Sequence, residues 1–179
     1  MRTPSQAFFH SIRVTKYYNS FYLQVFESHA GKLNSKAFKK FSLPFLKKIA
    51  SEVKCRLRDR NLPDVPMIVF AKDAHYGLVE LCNTEYDVIG LDWTIDPKTA
   101  RTISSSKGKT LQGNLDPAAL YGSAESIHQN TEEMITGFGT ERYIANLGHG
   151  MYPDMDPNSL IAYVNAVHSI SQKVIAEHS

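Results

Sequence analysis

Short apolar runs alternate along the chain with longer stretches of helical spacing, and this alternation constrains the fold more than any other feature. FYLQVFE (21–27), MIVFA (67–71), DVIGLD (87–92), TLQG (110–113) and YIANLG (143–148) have the length of strands. Between the first two, Phe38, Phe41, Phe45, Leu46, Ile49, Val53 and Leu57 recur every three or four residues over 35–59. Pro44 divides that stretch into a short helix and a long one beginning near the proline. Shorter helices are predicted over 75–83 and 97–104. A longer one is predicted over 123–137, with Ser123 as cap and Glu125 in the first turn. Residues 157–176 set Leu160, Tyr163, Val164, Val167, Ile170 and Val174 along one face. Strands separated by helices pair in parallel, because a parallel neighbour is reached only through a crossover. The runs read as apolar throughout rather than alternating, which predicts strands covered on both faces.

Two architectures satisfy this pattern, an open doubly wound sheet and part of a β/α barrel, and periodicity fits either. The strand ends favour the barrel. Each run stops at a small or polar cluster: Glu27-Ser28-His29-Ala30-Gly31, Lys72-Asp73, Asp92-Trp93, Gly113-Asn114-Leu115-Asp116 and Gly148-His149-Gly150. Ligands of β/α folds lie at that carboxyl edge, and an open sheet uses only the strands flanking its switch point. In the last cluster, Gly148 and Gly150 are expected to turn the backbone sharply, presenting His149 into the barrel mouth. Asp154 or Asp156 then caps the final helix, with Pro157 in its first turn. A whole barrel takes eight units and typically about 250 residues. The five units here, over residues 20–179, therefore predict a fold of class α/β, an incomplete (β/α)8 TIM barrel.

Residues 1–19 carry Arg2, Arg13 and Lys16 and no acid. This composition is faintly like a transit peptide and is read as an unmatched, unstructured leader. The net charge of +2 gives no basis for binding nucleic acid or an anionic membrane. No apolar run approaches the ~20 residues of a membrane span. Cys55 and Cys82 lie far apart with no CxxC spacing, the usage of reduced thiols inside a cell. Neither a GxGxxG nor a Walker-type loop occurs, so no nucleotide cofactor is expected.

The segments FESHAG, PMIVFAKDAH, GLDWTIDPKTAR, LQGNLDPAALY and RYIANLGHGMYPDMDP closely resemble the uroporphyrinogen decarboxylase family of haem biosynthesis, from about Leu23 to the C-terminus. The resemblance implies a cofactor-free, cytoplasmic, homodimeric (β/α)8 barrel. Such an enzyme removes CO2 from the four acetate side chains of uroporphyrinogen to give coproporphyrinogen. It also implies substrate-binding roles for Ser28 in FESHAG and His149 in NLGHG, each resembling a position that hydrogen-bonds substrate carboxylates. The family's arginine-rich motif, its aspartate facing the pyrrole nitrogens and its cleft tyrosine have no match in this sequence. Arg56, Arg58 and Arg60 lie on a predicted helix and do not reproduce the arginine motif. No catalytic residue is therefore assigned within this chain.

Alternation along an extended segment sends neighbours to opposite sides, so only one of Ser28 and His29 faces the cleft. Asp92 and Asp116, followed by Trp93 and Pro117, read as loop anchors rather than acids. His75, His128 and His168 fall on predicted helices and read as solvent-facing or packed. Barrel relatives that transfer methyl groups hold zinc with a His-x-Cys pair and a later Cys. Here no cysteine at a strand end has a histidine beside it, so no metal site is expected. Two readings follow: a portion of a uroporphyrinogen decarboxylase that is inactive alone, or a non-catalytic half-barrel that binds porphyrinogen or a full-length partner.

Overall fold

The structure is a computed structural model and describes residues 22–177; the leader read over 1–19 lies outside them. The five apolar runs form strands Leu23–Glu27 (β1), Met67–Ala71 (β2), Val88–Gly90 (β3), Thr110–Leu115 (β4) and Tyr143–Leu147 (β5). They make one parallel sheet in the order β1-β2-β3-β4-β5. Sequence order and spatial order coincide. A doubly wound sheet reverses its order at a switch point, so the strand order selects the barrel-type winding.

The helices follow their strands. Ser35–Ala37 runs through a π-helical turn, Phe38–Ser42, directly into Leu43–Asp59 (α1), with Pro44 in its first turn. The expected pair of helices is thus one continuous helical path. Leu78–Cys82 (α2), Pro97–Ser105 (α3), Ala124–Phe138 (α4) and Pro157–Glu177 (α5) complete the set. Asp96 caps α3 by accepting from Thr99 N, and Ser123 caps α4 by accepting from Ser126 N. Of the two candidate caps for α5, Asp156 accepts from Asn158 N, while Asp154 accepts from the Tyr121 hydroxyl.

The register sorts every strand side chain onto one of two faces. Val25, Met67, Val69, Ala71, Ile89, Leu91, Leu111 and Leu115 point to the helices, where they meet Leu46, Val53, Leu78, Ile127, Met134, Ile135, Tyr163 and Ile170 in one core. The opposite face carries Gln24 and Phe26 of β1, Ile68 and Phe70 of β2, Val88 and Gly90 of β3, Gln112 of β4 and Ile144 and Asn146 of β5. Burial on both faces holds for β2 and β3. It fails for the outer strands, where Phe26 is 65% and Ile144 40% exposed, because no described element lies beyond them. Buried titratable groups share the helix side of the sheet. Burial pushes the Cys82 thiol from 9.0 up to about 11, against the pull of Lys109 and Lys107. It raises Tyr86, Tyr143 and Tyr163 as well.

Two predictions follow from this packing. The neutral Cys82 thiol stabilises the fold fully below pH 9.0, a contribution lost as pH rises through about 11. The buried tyrosines carry the same sign at higher pH. Urea midpoints should therefore fall between pH 9 and 11, and a flat profile would contradict this. Exposed apolar side chains and parallel edges at β1 and β5, unpaired among the described residues, should make the isolated 179-residue chain self-associate. Sedimentation at rising concentration measures this; a monomer with a sharp cooperative melt would refute it.

Candidate functional site

One residue row crosses the helix-free face from edge to edge: Phe26, Phe70, Gly90, Gln112 and Ile144 are successive register partners. Phe26 and Phe70 meet edge to face, ring centroids 6.0 Å apart. A side chain at position 90 would press on Phe70, 3.1 Å from its ring. The missing Cβ leaves a hollow above which a cavity of about 360 Å³ opens. Phe26, Phe70, Gly90 and Gln112 of this row form its floor, and the strand ends form its rim.

Ser28 and His149, the two residues nominated from sequence, both line this cavity. His29 does not, in keeping with alternation. Ser28 lies on a turn held at several points: Glu27 accepts from His29 N and from Ser42 Oγ, and the Tyr76 hydroxyl bonds the carbonyls of Ala30 and Leu33. Gly31 N donates to Lys72 O, tying that turn to the end of β2. Among the described residues the Ser28 hydroxyl and the Gln24 and Gln112 amides make no side-chain hydrogen bond, which leaves them free for a ligand.

His149 is exposed, and its ring stands edge-on to Trp93 at 6.2 Å and 87°. A buried knot beneath it fixes Trp93. Asp92 accepts from the Asp73 amide, the Thr94 amide and the Thr94 hydroxyl. Asn114 Nδ2 donates to the carbonyls of Asp92 and Ile95, at 2.8 Å each. Asp92 is thus a loop anchor, as is Asp116, which accepts from Ala118 N. Gly148 sits on this knot: a Cβ there would lie 2.7 Å from Trp93 N and 3.2 Å from Asn114 O. The expected role of the two glycines changes accordingly. Neither has a positive φ; Gly148 is required by space against neighbouring backbone, and Gly150 has open space around it.

The sequence reading named Lys72 only as part of the Lys72-Asp73 strand-end cluster and gave no role to Gln24, Gln112 or Asn146; all four line the cavity. Strand parity could have found them, since each follows an inward neighbour by two residues or precedes one. Among the described residues no carboxylate side chain lines the cavity, and Lys72 is the side chain there with a permanent charge. His75, His128 and His168 are exposed and lie away from it. Among the described residues, no three His, Cys, Asp or Glu side chains converge as metal ligands, and no helix is long and apolar enough to cross a membrane.

The model of the family described as uroporphyrinogen decarboxylase (URO-D) matches residues 19–170. The chain belongs to the uroporphyrinogen decarboxylase family. It is 56% identical over 153 residues to the uroporphyrinogen decarboxylase of Danio rerio, covering 86% of this chain and 41% of that one. The enzyme of Homo sapiens is 56% identical over 150 residues, and that of Schizosaccharomyces pombe 46% over 148. These matches cover 84% and 82% of this chain, and again 41% of each relative. The chain therefore spans about two fifths of the length of these curated relatives. A solved methyltransferase from Methanosarcina mazei superposes with a TM-score of 0.67 at 18% identity, over 83% of this chain and 42% of its own, a likeness of fold. The sheet is accordingly five consecutive units of a (β/α)8 TIM-barrel family.

The knot under His149 predicts a specific failure. Gly148→Ala should lower stability by about 1–3 kcal/mol, the usual cost of overpacking a close backbone contact. It should also displace the His149 ring from Trp93. Thermal melts and the ring-current shift of the imidazole protons report the two effects. An unchanged melting point would show that the strand end relaxes freely.

Proposed function

We propose that residues 20–179 serve as the C-terminal portion of a uroporphyrinogen decarboxylase. In it, this sheet and three further β/α units would close one barrel around the tetrapyrrole. The observation that carries the reading is the cavity: an aromatic floor, a rim of hydroxyl, amide, imidazole and ammonium groups, and no carboxylate side chain. A tetrapyrrole whose apolar pyrrole rings bear many carboxylates complements such a site, its rings against the aromatic floor and its carboxylates against the rim. On this reading Ser28 donates its hydroxyl, and His149 a ring N–H, to substrate carboxylates.

Loss of CO2 from an acetate on a pyrrole needs a sink for the electron pair of the breaking C–C bond. Protonation of the ring provides it. The pair flows into the ring cation to leave an exocyclic methylene, which takes up a proton to become the methyl group as the ring returns its own. The cationic stage calls for a carboxylate near the ring nitrogens, and the remaining substrate carboxylates for arginines. Neither group lines this cavity. This chain would then bind and orient, while the other portion of the enzyme supplies the charge stabilisation. Cytoplasmic location and pairing into homodimers belong to the same proposal.

The test is a chimera in which this chain replaces the matching stretch of a full-length relative. It should convert uroporphyrinogen to coproporphyrinogen, whereas the 179-residue chain alone should not exceed the uncatalysed rate. In the chimera, His149→Asn should lower kcat/KM roughly ten- to a hundredfold, the size expected from losing one charge-assisted hydrogen bond. Its melting point should stay unchanged, since the side chain is exposed. Unfolding with full residual activity would assign His149 to the fold rather than to the substrate.

A further inference from the structure

We infer that Lys72 is a carboxylate anchor of the cavity, a third substrate-binding residue beside Ser28 and His149. The inference rests on the proposed function and adds to it the permanently charged side chain that lines the cavity among the described residues.

Backbone geometry decides where the side chain goes. Ile68 and Phe70 face the helix-free side, and Lys72 is the next residue of the same parity. The ladder continues through it. Lys72 N donates to Glu27 O at 3.2 Å, and Lys72 O accepts from Gly31 N at 2.9 Å. The residue is thereby clamped to the same turn that carries Ser28, so its stem rises from the aromatic floor toward the rim. Both residues line the cavity, with His149 on the strand end beyond.

The state of the ammonium is equally telling. Two other lysines in the sheet region are spent on structure. Lys54 Nζ bonds both oxygens of Asp87 at 2.9 and 2.8 Å, and Lys109 Nζ donates to the carbonyls of Thr84 and Tyr86 at 2.8 and 2.6 Å. Lys72 has no hydrogen bond of that kind. Its contact is with Asp73 Oδ2 at 3.6 Å, both side chains being substantially exposed, a pairing that contributes little to stability. An ammonium has three donors, and here they remain available. Asp73 itself is held back from the cavity: its amide is bonded to Asp92, and its Cβ packs against Gly31. Asp73 offsets part of the charge of Lys72 at this distance. An incoming carboxylate replaces it at shorter range, beside the uncharged donors of Ser28 and Gln112.

The test uses uroporphyrin, the stable oxidised octacarboxylate, and follows its fluorescence polarisation on the 179-residue chain below the concentration of self-association. Lys72→Gln should weaken binding roughly tenfold, the equivalent of one charge-assisted hydrogen bond, and should flatten the salt dependence. Lys72→Arg should bind within about threefold of the unaltered chain, because it keeps the charge. Lys48→Gln, on the exposed face of α1 and outside the cavity, should bind as the unaltered chain does. If the unaltered chain binds and Lys72→Gln binds equally well with the same salt dependence, the anchor is refuted and the proposed function stands. A loss shared by Lys72→Gln and Lys72→Arg refutes charge recognition. Failure of the unaltered chain to bind refutes the anchor, whereas the proposed function falls only if the chimera is inactive as well.

Discussion

A parallel strand must be carried back across the sheet before its neighbour can pair, and here every return passes over the same side. From this one constraint most of the architecture follows. Successive strands are spatial neighbours, so the helices collect on one face and bury it in a single core. The other face carries polar side chains, two aromatics, the aliphatic Ile68, Val88 and Ile144, and a glycine. All carboxyl ends of the strands meet at one edge, and there Ser28, Lys72 and His149 share a cavity although they are far apart in sequence. No turn or cap would bring them together without that winding.

Much of this was legible before any coordinates. The runs of 67–71 and 143–148 match β2 to the residue and β5 to within one, and the Ser123 cap was readable from its side-chain chemistry, while the sequence leaves the choice between Asp154 and Asp156 open and the structure decides for Asp156. Order of strands in space was not, because periodicity records what one strand buries and says nothing of which strand lies beside it. The outer strands misled for a related reason. LQVFE reads as apolar in composition, yet its Gln24 and Phe26 lie on the helix-free side and Val25 on the other. Alternation was present in the letters, and the aromatic at 26 masked it.

At the site, histidine between glycines was the visible signal, and its surroundings were hidden. Gly148 looked like a flexible hinge, but what it provides is space for Trp93 N and Asn114 O, a requirement set by two other strands. Asp92 announced itself as a loop residue, but its grip on the turn after β2 through the Asp73 amide crosses between strands. Lys72 was named only as one of a strand-end pair, because a lysine after an apolar run reads as the place where a strand meets water. Only the parity of Ile68 and Phe70 shows that the water there is the water of a pocket.

Gly90 links floor and cavity. Barrel interiors are ordinarily filled by layers of side chains, with bulky branched residues dominant. In the layer of Phe26, Phe70, Gln112 and Ile144, position 90 contributes nothing but a hydrogen, and the Phe70 ring borders the gap this leaves. The depth of the hollow is therefore governed by a residue that brings no side chain to it. The volume available above the sheet is an adjustable property of the scaffold, separable from the polar groups around its rim. A lineage, or an engineer, could resize the chamber at that one position and leave the recognition chemistry as it stands.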